Sequence, residues 1–183
     1  MATYKIKPNP LGVISFSLPE GRMIASSGDF RNHTDSNGGV LASNSFDTVI
    51  GSSGALKITR VNGATDISSR ITWIADVVDP IQWEAILPDD LDDTVDGTLY
   101  LTVSMSGVAD TPVATIAAMV GIGGSNIGGN TSAVSGTTPT VKTIALNFPS
   151  AAAGSKLTIA INPAAHATDS LRLDALRLVY TRR

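Results

Sequence analysis

Thr98-Leu99-Tyr100-Leu101-Thr102-Val103-Ser104-Met105 alternates apolar and polar residues without a break. Side chains of an extended chain point to opposite faces in turn, so Leu99, Leu101, Val103 and Met105 share one side and Tyr100, Thr102 and Ser104 the other. The segment reads as a half-buried strand. Upstream, Ile81, Trp83, Ala85 and Leu87 repeat the pattern until Pro88, which has no N–H for a ladder, and the aspartates that follow it. Further strands are expected at 56–61, 70–75, 113–120, 141–148, 156–161 and 171–180, eight in all. The 113–120 segment is apolar on both faces, as a strand covered on both sides would be, though its Ala and Met also permit a short helix. The last strand changes phase: Leu171, Leu173 and Ala175 share a face, but Leu176, Leu178 and Tyr180 continue the apolar pattern, so a β-bulge is expected near Ala175.

The connections carry turn residues, as in Val61-Asn62-Gly63-Ala64 and Asp96-Gly97, and no capped helix of three turns is evident. Short strands with Gly-, Pro- and Asp-rich links predict an all-β fold: a two-sheet antiparallel sandwich of the jelly-roll kind, with an extended N-terminal arm. Residues 1–45 are assigned to the arm and residues 46–183 to the sandwich domain. The stretch 121–140, GIGGSNIGGNTSAVSGTTPT, lacks apolar periodicity and reads as a long exposed loop.

At 183 residues the chain has room for one real core, and 43% hydrophobic residues are too many for wholesale disorder. No apolar run approaches the ~20 residues of a membrane-spanning helix, so no membrane partner is expected. The absence of cysteine excludes disulfides and thiolate chemistry. The start, Met1-Ala2-Thr3-Tyr4-Lys5, shows no secretory signal, so synthesis in a cytoplasm is expected. The formal net charge of −3 argues against a nucleic-acid partner, and its distribution is uneven. No Lys or Arg lies between Arg70 and Lys142, and the segment between them carries −9, flanked by +2 before and +4 after. Such segmentation suits association with a charged partner or another copy; a solvated acidic loop that aids solubility is the plainer alternative.

The chemical inventory is thin. Pro88-Asp89-Asp90-Leu91-Asp92-Asp93 offers oxygen ligands but lacks the spacing of a calcium loop. His33 and His166 are the only histidines, and neither adjoins a nucleophile turn. Gly121-Ile122-Gly123-Gly124 lacks the Lys-Ser/Thr of a phosphate loop. Trp73 and Trp83 fall on apolar faces as core anchors, whereas Tyr100 alone projects to the polar face of its strand. No catalytic residue, cofactor or metal site is assigned.

Thr72-Trp73, Trp83-Glu84-Ala85-Ile86-Leu87-Pro88-Asp89-Asp90, Leu99-Tyr100-Leu101, Asp110-Thr111-Pro112, Pro163-Ala164-Ala165-His166-Ala167-Thr168-Asp169-Ser170-Leu171 and Leu176-Arg177-Leu178-Val179-Tyr180 form a pattern over about residues 70–181. In this pattern the chain resembles small jelly-roll decoration or cement proteins of tailed bacteriophages. The resemblance implies a non-enzymatic virion structural protein without a cofactor. It would bind the outer capsid surface, with the major capsid protein as partner and a homotrimer as its own assembly. Contacts are expected from Ile14, Phe16 and Leu18 of the arm, which alternate with serines, and from Asn126 and Asn130 of the Gly-rich stretch. The alternative is a carbohydrate-binding β-sandwich module of a fibre or an enzyme accessory domain, which an exposed aromatic pair in a groove would favour. A glycoside-cleaving enzyme, which needs opposed carboxylates, is the third reading.

Overall fold

The computed structural model describes residues 7–8, 14–15, 20–26, 29–32, 48–49, 56–60, 69–109, 115–122, 125–149 and 152–183. Their strands are β1 (Lys7–Pro8), β2 (Ile14–Ser15), β3 (Glu20–Ala25), β4 (Arg31–Asn32), β5 (Thr48–Val49), β6 (Leu56–Arg60) and β7 (Ser69–Trp73). They continue as β8 (Ile81–Ile86), β9 (Gly97–Met105), β10 (Thr115–Ile122), β11 (Ser125–Ala133), β12 (Thr140–Leu146), β13 (Lys156–Pro163) and β14 (Leu171–Thr181). No α-helix occurs among the described residues. One sheet runs β11-β10-β13-β8-β4-β5 and the other β12-β9-β14-β7-β6, with β3 added alongside β14. All named pairings are antiparallel, and the two sheets form a jelly-roll sandwich.

The periodicity explains which faces meet. Leu99, Leu101 and Val103 of β9 are buried with Trp73 of β7, while Trp83, Ile159 and Ile161 line the opposing sheet. Removing such apolar surface from water supplies the main drive to fold, at about 25 cal/mol per Å². Trp73 sits at 0% exposure and its indole N–H donates to the Asp79 carbonyl at 2.8 Å, so its one polar atom is satisfied. The expected bulge in the last strand is present: β14 shifts register against β9 between Leu173 and Ala175. Leu171, Leu173, Leu176, Leu178 and Tyr180 all remain buried on its inner side.

Two segments differ from the sequence expectation. Residues 121–140 contain β11, which pairs with β10 from Ser125↔Ile122 to Ala133↔Thr115, so most of the expected loop is a strand. Its glycines permit a close approach: a Cβ on Gly128 would lie 2.5 Å from the Ala145 carbonyl oxygen in β12. The Asn147 N–H donates to the Ile127 carbonyl at 2.9 Å, joining the edges of the two sheets there.

The second difference lies within residues 1–45. Glu20–Ala25 is paired with β14, Arg31–Asn32 with β8, and Phe30 is buried in the core. On the inner face of β3 only Met23 carries a hydrophobic signal, between Gly21 and Ala25, and Gly21 is small because it faces Tyr180, whose ring a Cβ at Gly21 would overlap. Ile14 pairs with Pro8 in a separate two-stranded sheet, while Phe16 and Leu18 lie outside the described residues.

Gly21→Ala should therefore destabilise the whole sandwich by about 1–3 kcal/mol, as overpacking does. Urea unfolding measures this; an unchanged midpoint would place residues 20–25 outside the cooperative core.

Candidate ligand-binding face

The outward side of the sheet containing β9 and β14 is built by registration. Ile24 lies opposite Arg177, Arg177 opposite Tyr100, and Tyr100 opposite Thr143. These four side chains form one row across β3, β14, β9 and β12, which spans ~14 Å at ~4.8 Å per strand. Beyond the bulge a second row runs Lys57, Thr72, Arg172, Ser104 across β6, β7, β14 and β9. Strand pairing sets both rows in register, with Thr72 and Ser104 of the second row buried.

Tyr100 is the only aromatic side chain among the described residues that is not buried. The Arg177 guanidinium carbon stands 4.5 Å from its ring centroid, a cation–π contact that fixes both groups. Ile24 beside them is 70% exposed, so the row combines an apolar patch, an aromatic ring, a cation and a hydroxyl. Between the rows, the Asp174 carboxylate forms an ion pair with Arg70, 3.2 Å from its Nε, and accepts from the Ser104 hydroxyl at 3.2 Å. Both members of this ion pair are largely withdrawn from water, at 9% and 15% side-chain exposure. Thr59 and Thr72 hydroxyls hydrogen-bond at 2.7 Å beside it. Burial first, and the neighbouring Arg70 second, hold the Arg172 guanidinium below its ordinary value.

Other candidate groups are engaged elsewhere. His166 is buried, its Nδ1 2.9 Å from the Ala164 carbonyl oxygen and its Nε2 3.0 Å from that of Ile74. The Nε2 side of the ring faces the residue that follows β7, and the link between these two loops is reinforced by the Asp76 N–H donating to the His166 carbonyl at 2.8 Å. His33 lies outside the described residues. In the acidic run, Asp90 pairs with Arg182 at 2.7 Å and Asp93 with Arg183 at 2.6 Å. Asp92 accepts from the Thr94 hydroxyl and N–H, and that side-chain bond above all holds its carboxyl below the usual range. These carboxylates meet cations and donors of the chain itself, and no cluster of three or more His, Asp or Glu suited to a metal occurs among the described residues. Glu84 receives Lys156 at 2.7 Å and the Gln82 amide at 2.7 Å on the outer side of the other sheet.

Asn126 and Asn130 are exposed on the edge strand β11, opposite Gly121 and Ala118. The Asn126 side-chain oxygen accepts from the Gly128 N–H at 3.0 Å. They belong to the other sheet, so the structure does not bring them together with the Tyr100 row. Sequence reasoning isolates Tyr100 but misses Arg177, Ile24 and the Arg70–Asp174 pair. The signal for Arg177 is its place on the polar side of β14 after the bulge; that for Asp174 is its place beside the phase change.

No protein-family model matches the chain, and no curated protein sequence is significantly similar to it. Solved structures are similar in fold. A xylan-binding module, CBM15, superposes with a TM-score of 0.55 at 9% identity over 90% of this chain and 99% of that one. TmCBM61, determined with β-1,4-galactotriose, gives 0.51 at 14% identity over 86% and 91%. The Stig cyclase Fisc from Fischerella sp. TAU gives 0.51 at 14% identity over 89% and 90%. At these identities the likeness establishes the β-sandwich, a scaffold used for binding and for catalysis alike.

Two outcomes are expected from the groups just described. Asp174→Ala leaves Arg70 without its carboxylate in a site largely closed to water, and should cost about 3 kcal/mol in a urea titration; a loss below ~0.5 kcal/mol would make the pair merely superficial. Burial first, with Asp90 beside it, raises the Tyr180 phenol above its ordinary value of about 10. Because the folded value lies above the unfolded one, this contribution is complete below pH ~10 and disappears as pH rises through the folded value. Tyr180→Phe should remove that alkaline loss, read as denaturation midpoint against pH.

Proposed function

We propose that this chain is a non-catalytic carbohydrate-recognising β-sandwich module that binds its ligand on the face carrying Tyr100. The observation that carries this reading is the row Ile24, Arg177, Tyr100, Thr143, presented outward across four paired strands. Sugars have apolar C–H faces and polar rims, so a recognising surface needs an aromatic or aliphatic platform flanked by directional hydrogen-bonding groups. This row provides both, and the half-buried Arg172 of the neighbouring row adds a further donor. The fold shared with a xylan-binding module and with a galactotriose-bound module supports the choice of ligand class. The aromatic pair that would mark a deeper groove is absent from the described surface, because Trp73 and Trp83 are both buried. Recognition here rests on one ring and a dense polar surround, which suits binding of modest affinity strengthened by repetition.

A capsid-decorating protein, assembled as a homotrimer on a major capsid protein at the virion surface, is the competing proposal, carried by the resemblance in sequence pattern. The two differ in what they retain. Full-length protein run through gels or arrays of plant and bacterial polysaccharides should be retarded by at least one of them, and Tyr100→Ala should weaken that binding ~10-fold or more with an unchanged melting temperature. Absence of retention on every polysaccharide, with co-sedimentation on phage particles instead, would replace the module reading by the capsid one.

A further inference from the structure

We infer that the ligand of this face is an anionic polysaccharide, one carrying uronate carboxylates or sulfate esters; this rests on the glycan-binding reading above and adds the charge of the sugar to it. The chain as a whole carries −3, yet the outward residues of this sheet include Arg22, Lys57, Arg70, Arg172 and Arg177 against only Glu20 and Asp174. The face is cationic on a molecule that is not. Part of that charge is already matched, since Arg70 faces Asp174 and Arg22 reaches Glu20 at 3.8 Å. Lys57 and Arg177 remain as the cationic excess, with Arg172 partly offset by the neighbouring Asp174 and Asp169. Arg172 makes one long bond, from its terminal nitrogen to the Met105 carbonyl at 3.4 Å. Arg177 is held over Tyr100, and its Nε is shielded from water with no hydrogen-bond acceptor. A planar guanidinium is suited to grip a carboxylate or sulfate by two parallel bonds from its terminal nitrogens.

A second copy of the chain is a poorer occupant, because the acidic run that could meet this face has Asp90 and Asp93 paired with Arg182 and Arg183 of its own chain. A nucleic acid is poorer too. Asp174 and Glu20 lie among the cations and would repel a continuous phosphate backbone, whereas a carboxylate and the Thr102 and Thr143 hydroxyls are ordinary partners for sugar hydroxyls. Only a polymer that alternates hydroxyls with spaced negative charges matches the whole face.

The test is affinity electrophoresis of the full chain in gels containing polygalacturonate, dextran sulfate or neutral xylan, each at low and high salt. Retardation should occur with an anionic gel, fall ~10-fold or more between 0.05 and 0.5 M salt, and be absent with xylan. Preference for polygalacturonate over dextran sulfate, or the reverse, identifies the charged group. Arg172→Gln with Arg177→Gln should weaken binding ~10-fold, and Lys57→Gln gives a milder check that does not disturb the ring contact. Retardation by xylan equal to that by the anionic gels and indifferent to salt overturns this inference while leaving a glycan-binding module standing. Duplex DNA retained as tightly as the glycans, and unaffected by Tyr100→Ala, would reduce the face to a simple cation exchanger and overturn it as well. No retardation by any polysaccharide removes both readings together.

Discussion

Every other part of the sheet is arranged around the extra residue in β14 between Leu173 and Ala175. Side chains on a strand alternate, so without that residue the second half of β14 would turn Leu176, Leu178 and Tyr180 outward and bring Arg177 into the core. The bulge keeps both halves apolar inward. It also divides the far edge of the strand, where β7 pairs with Leu171–Leu173 and β3 with Leu176–Thr181, so two distant pieces of sequence share one sheet. Along its other edge β14 pairs with β9 on both sides of the shift.

That same irregularity places charge. Asp174 sits at the break in register, where its carboxylate reaches Arg70 on one neighbouring strand and Ser104 on the other. A partly closed ion pair contributes little net stability by itself, because desolvation offsets much of the attraction. Its value is in fixing geometry: the outward rows on either side of the break keep a constant relation to one another. A bulge is thus both a packing correction and the origin of the face's polar centre.

The legible part of the fold is the part written in large apolar side chains. The Leu99 to Met105 alternation, the Ile81–Leu87 face and the phase change in 171–180 each reappear as observed strands, because burial of such side chains dominates the energy. What escaped were strands built from small residues. Gly21 and Gly128 lie where an aromatic ring or a backbone comes close, and the requirement there is for absence of a side chain, which leaves no periodic mark. The face was half legible. Tyr100 stands out as an aromatic on a polar side, but its neighbours Ile24 and Arg177 lie far away along the chain and meet it only through strand registration.

Burial of both tryptophans has an optical consequence. Trp73 and Trp83 look into the sandwich, at 0% and 7% exposure, so their emission reports on the packing of the interior and is screened from events at the Tyr100 surface. Intrinsic fluorescence of this protein is accordingly a clean gauge of unfolding and nearly blind to ligand. A tryptophan substituted at Tyr100 would turn the same surface into a luminous one, its colour set by whatever covers the ring.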